Sequence, residues 1–73
     1  MAVQIVMDRT GDSRYPFDPA SPAQVTEAER LFRHLTDRGF TATARVAPGR
    51  LEIIRSFDPG VEESVFFPRL VGG

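Results

Sequence analysis

Ser21-Pro22-Ala23-Gln24-Val25-Thr26-Glu27-Ala28-Glu29-Arg30-Leu31-Phe32-Arg33-His34-Leu35-Thr36-Asp37-Arg38-Gly39 is the stretch with the clearest helical signature, and the rest of the fold is placed around it. Ser21 can accept from the orphan N–H groups of a first turn, Pro22 suits the first helical position, and Gln24 stands where a capping box wants Glu or Gln. The spacing predicts a helix over 22–38. Val25, Ala28, Leu31, Phe32 and Leu35 fall within roughly 120° of a helical wheel, one apolar stripe shaped to pack on a sheet. Glu29–Arg33 and Arg33–Asp37 lie at i,i+4 on the remaining surface. Gly39 is the expected left-handed residue past the end, with Phe40 folding back toward Leu35 in a Schellman motif.

Both flanks predict strands. Upstream, Ala2 to Met7 is rich in β-branched residues, with Val3, Ile5 and Met7 on one face at period two. Turn chemistry over Asp8 to Ser13 leads to an extended partner, Ser13 to Phe17. Pro16 lacks the N–H a central strand must donate, so this partner belongs at a sheet edge. Downstream, Phe40 to Ala47 and Arg50 to Phe57 form a second hairpin through Pro48-Gly49. Asp58-Pro59-Gly60 breaks the pattern, with Asp58 placed to cap a short helical turn through Glu63. A last strand, Ser64 to Phe67, stops at Pro68. The order is ββαββ(β): an α+β domain over residues 1–68, its single helix on one face of the sheet, followed by an expected flexible tail, 69–73.

Composition narrows the functional classes. The chain has 73 residues, 41% hydrophobic and 26% charged, which suits one small soluble domain with a thin core. There is no cysteine and one histidine, His34, so disulfides and a zinc site are not expected. His34 also points away from the apolar stripe, and the neighbouring carboxylates Glu62 and Glu63 diverge. No nucleophile–base pair is legible, and an enzyme is not expected. A net charge of −1 with scattered arginines argues against nucleic acid. No apolar run reaches the length of a membrane span or signal segment, so the expected location is cytoplasmic and the expected free state monomeric. All nine basic residues are arginine. A GC-rich genome would account for that, as would a protein handled by amine-modifying enzymes.

The candidate chemistry lies at the end of the chain. Arg69-Leu70-Val71-Gly72-Gly73 presents a carboxylate on two residues without side chains. An extended Gly-Gly can thread a channel that bulkier residues would block. Phe66-Phe67-Pro68-Arg69-Leu70-Val71-Gly72-Gly73 resembles the ending of the small subunit of molybdopterin synthase, with Arg69 in place of a second proline. It is also similar to ubiquitin, in which an Arg-Leu-x-Gly-Gly tail follows the final strand. Gln4-Ile5 and Thr10-Gly11 resemble ubiquitin's opening hairpin. The specific likeness covers about the last seventeen residues.

These relatives share the β-grasp (ubiquitin-like) fold, which implies parallel pairing of first and last strands at the sheet centre, in a mixed sheet crossed by the helix. The resemblance further implies a modifier whose Gly73 is activated by an E1-like adenylating enzyme using ATP. An E2-like or other cysteine-bearing enzyme would then transfer it to target proteins. No cofactor resides on the chain itself. Gly72 provides passage; Arg69, Leu70, Val71 and Phe67 are the candidate partner contacts. Two alternatives stay open at this point: a sulfur carrier with a Gly73 thiocarboxylate, and a small adaptor whose Gly-Gly tail is incidental.

Overall fold

The computed structural model describes residues 1–68. The elements are β1 (Ala2–Asp8), β2 (Gly11–Phe17), α1 (Pro22–Asp37), β3 (Thr41–Ala47), β4 (Arg50–Ile53) and β5 (Glu63–Phe67). The five strands form one mixed sheet in the order β2-β1-β5-β3-β4. β5 runs parallel to β1 with Ile5 beside Val65 and Val6 beside Phe66, and antiparallel to β3 with Ala42 beside Phe66. The last strand is thus central, inserted between the two hairpins. This is a β-grasp-like α+β fold.

The helix ends are built from their own side chains. The Gln24 N–H donates to Ser21 Oγ at 3.4 Å, and Pro22 occupies the first turn. The Gln24 carboxamide reaches back past the cap and accepts from the Asp18 N–H at 2.8 Å, so the reciprocal half of the box is displaced upstream. At the other end Phe40 N–H donates to the Leu35 carbonyl and Gly39 N–H to that of Thr36, both at 3.0 Å. Those two bonds define a Schellman motif, and Gly39 supplies its φ of +94°.

Pro16 fits the edge for a specific reason. Its register partner Val3 donates its N–H to Glu62 O at 2.9 Å, away from β2. The backbone nitrogen of Pro16 therefore faces the open side of β2, where no ladder bond is lost.

Two linked clusters make the core. Val6, Phe32, Leu35, Ala42 and Phe66 form one; Ala2, Phe17 and Ala28 form the other. Phe57 joins them, its ring 6.2 Å from Phe17 and 6.0 Å edge-on from Phe32. Two expectations need correction here. β4 stops at Ile53, not Phe57, because the chain must leave the sheet for Phe57 to pack against both clusters. The expected helical turn after Asp58 is a side-chain-closed turn instead: Asp58 Oδ1 accepts from the Gly60 N–H at 2.8 Å, and its carbonyl accepts from Val61. Asp is well suited to that closure, which competes with a helical cap.

The pairing of Val3, Ile5 and Met7 on one face holds, but the helix covers the opposite face. Ala2, Gln4 and Val6 are the residues of β1 that meet α1, and the buried Gln4 amide donates to the Ala28 carbonyl at 2.9 Å.

Candidate docking face at the end of the last strand

Cross-strand partners share a face, so the register defines what the side of the sheet without the helix carries. β1 contributes Val3, Ile5 and Met7; β5 contributes Glu63, Val65 and Phe67; β3 contributes Thr41, Thr43 and Arg45; β4 contributes Leu51 and Ile53. Ile5 and Val65 lie on adjacent inner strands and are buried between their neighbours. Toward β4 and the end of β5 the face opens: Ile53 is 65% exposed, and Leu51 and Phe67 are 36% exposed each. Arg45 and Glu63 form an ion pair on this face. The result is a mixed surface, with the exposed apolar side chains of β4 and of the end of β5 separated by Thr41, Thr43 and Arg45 of β3.

Phe66 and Phe67 show how period-two geometry divides two identical side chains. Phe66 is fully buried, its ring 5.7 Å edge-on from Phe32 under the helix. Phe67, one residue on, points to the bare face beside Thr41. Pro68 then follows and, without an N–H, does not extend the ladder. Because β5 is parallel to β1, the chain leaves the sheet beyond the Val6–Phe66 step, at the end that carries the β1–β2 turn.

Of the candidate contact residues, Phe67 is thus placed on the open part of this face. Arg69, Leu70, Val71, Gly72 and Gly73 lie outside the described residues. The bare face adds Leu51 and Ile53, which strand alternation in Arg50-Leu51-Glu52-Ile53 could have singled out. That alternation normally signals core. Here it marks an edge strand whose apolar side has no element over it.

The remaining polar groups are dispersed. His34 is exposed on α1. Asp12 pairs with Arg14, and Glu63 with Arg45. Asp8 accepts from the Thr10 hydroxyl at 2.7 Å and from its N–H at 2.8 Å, which holds its carboxyl below the ordinary carboxylate value. Among the described residues, no group of three or more His, Asp or Glu side chains is placed to hold a metal ion. A groove of about 500 Å³ runs between α1 and β2, lined by Tyr15, Phe17, Ala28 and Leu31 among others. Its buried amide, Gln4, is already bonded to the helix. Among the described residues, no helix is long and apolar enough to cross a membrane.

No family model, curated protein or solved structure matches this chain.

Proposed function

We propose that the protein is a ubiquitin-like modifier, activated at Gly73 by an adenylating enzyme and conjugated to target proteins. The observation that carries this reading is the position of the last strand. β5 lies at the centre of a β-grasp-like sheet and releases the chain next to Phe67, on the face without a helix. A partner seated on Phe67 and Ile53 would lie toward the end of β5, where the chain leaves the sheet. Phe67 and Ile53 would supply apolar contact, and Arg45–Glu63, toward the start of β5, a polar reference; a partner could take up the tail through backbone hydrogen bonds of the strand-addition kind. Arg69 can clamp a partner carboxylate through its planar fork.

The chemistry belongs to the partners. A Gly73 carboxylate oxygen attacks the α-phosphorus of ATP and pyrophosphate leaves. A partner cysteine thiolate displaces AMP to give a thioester. A target amine then attacks the carbonyl carbon, gives up a proton and expels the thiolate, leaving an amide. Gly72 and Gly73 keep the approach to that carbonyl free of side chains.

One sequence feature favours a second reading. The Phe66-Phe67-Pro68 approach to Gly-Gly resembles the molybdopterin synthase small subunit, and a sulfide-level sulfur nucleophile delivered by a partner would displace AMP from the same adenylate to leave a thiocarboxylate. The two part on one measurement: the intact mass of tagged protein recovered from its native cells, beside a version lacking Gly73. Conjugation gives Gly73-dependent heavier species that survive reductant and denaturant. A sulfur carrier gives a single species with one terminal oxygen exchanged for sulfur. If neither appears while the activating machinery is expressed, the tail is incidental and the domain is a binding module.

A further inference from the structure

We infer that this domain is built not to accept its own kind: it is added singly to targets and does not form chains branched through its side chains. The inference rests on the conjugation reading above. It starts from the arginines, which account for all nine basic residues. Arginine is physically required over lysine where a buried pair, a two-pronged carboxylate contact or an aromatic stack uses the guanidinium plane. The eight arginines among the described residues are all exposed. Arg30 and Arg33, on the outer surface of α1, have side chains 70% and 75% accessible. They meet Glu27 and Glu29 at 3.0 and 3.3 Å through one terminal nitrogen each, a contact an ammonium could make as well. Helix propensity does not separate the two residue types either. Neither the folding nor the packing of α1 therefore calls for arginine at these positions.

What arginine changes is nucleophilicity. A lysine ε-amine can shed a proton and attack the activated Gly73 carbonyl, whereas a guanidinium stays protonated and does not. Exposed positions on the helix, remote from the bare sheet face that would hold the activating enzyme, are where a second copy could deliver its thioester without obstruction. Arginine keeps the charge there and removes the acceptor.

The test uses the full chain with a lysine-free histidine tag, expressed in its native cells as wild type, as R30K/R33K, and as each without Gly73. Trypsin cuts after Arg69, so each conjugated lysine keeps a Leu70-Val71-Gly72-Gly73 remnant that mass spectrometry locates. The expected result is a Gly73-dependent remnant on target lysines in both backgrounds, with a remnant at positions 30 or 33 only in the variant. The variant should then gain species two domains heavier than a target, carrying that internal branch. The inference is overturned if positions 30 and 33 stay unmodified while targets are conjugated. It is equally overturned if the wild type joins copies through its α-amine or hydroxyls as abundantly as the variant does through lysine. Absence of any Gly73-dependent remnant on any protein would instead defeat the conjugation reading, and this inference with it.

Discussion

The two faces of the sheet bury their apolar residues to different extents. Under the helix, β1 presents Ala2, Gln4 and Val6, and β3 presents Ala42 and Ala44. On the other side stand Val3, Ile5, Met7, Val65, Phe67, Leu51 and Ile53, a bulkier set with nothing packed over its β4 end. Ala2, Ala42 and Ala44 on the covered face leave room for Phe32, Leu35 and the inserted Phe57, which pack with Phe17 and Phe66 of the sheet. On the bare face Ile5 and Val65 are buried between neighbouring strands, while Ile53, Leu51 and Phe67 remain as surface.

The comparison breaks most sharply at Phe66 and Phe67. Phe66→Ala should cost about 3–5 kcal/mol, since it deletes a fully buried ring from the centre of the core. A 73-residue domain has a total stability of roughly 4–11 kcal/mol, so this variant should be largely unfolded or close to it. Phe67→Ala should change stability by about 1 kcal/mol or less. Urea titrations of both would reveal the reverse order of losses if the strand alternated the other way, and near-equal losses if both rings were buried.

A smaller effect is expected at Gln4, the polar residue on the covered face. Gln4→Ala removes the bond to the Ala28 carbonyl and opens a small void, at a cost of about 1–3 kcal/mol. If urea denaturation showed no loss, the amide would not be holding α1 to β1.

Ile53→Asp sharpens the functional side of the contrast. At 65% exposure it should leave the unfolding free energy from urea titration within about 1 kcal/mol of wild type, yet reduce Gly73-dependent products in native cells. Undiminished products would move the docking surface elsewhere.

The least effect is expected at the exposed β1–β2 turn. The Thr10 hydroxyl and N–H stabilise the Asp8 carboxylate, so its folded pKa lies below the unfolded one. The resulting stability is present above the unfolded pKa and fades as pH falls through the folded value. Comparing acid unfolding of wild type with Asp8→Asn should show a slightly steeper loss for wild type, confined to that acidic window. Identical curves would mean the turn exerts no pull on the carboxylate.

Much of this was legible in the chain because it depends on near neighbours. Ser21, Pro22 and Gly39 bound the helix through contacts within one turn, and Pro16 excluded itself from a central strand by lacking a donor. Phe57 was harder. In sequence it continues a run of strand-forming residues, and nothing local says that a ring will leave the sheet to bridge Phe17 and Phe32. Asp58 was ambiguous for a related reason, since the same side chain serves a helix cap or a closed turn.

The sequence by itself determined the element order, the caps and the edge position of β2, because periodicity and backbone chemistry act over a few residues. Only the tertiary structure decided which face of the sheet the helix covers. Alternation establishes that Val3, Ile5 and Met7 lie together, but both faces of β1 carry apolar side chains. The choice between them rests on distant partners: the Ala28 carbonyl that takes the Gln4 amide, and the Phe32 ring that meets Phe66. Those contacts leave Phe67 and Ile53 on the face where a partner has room to bind.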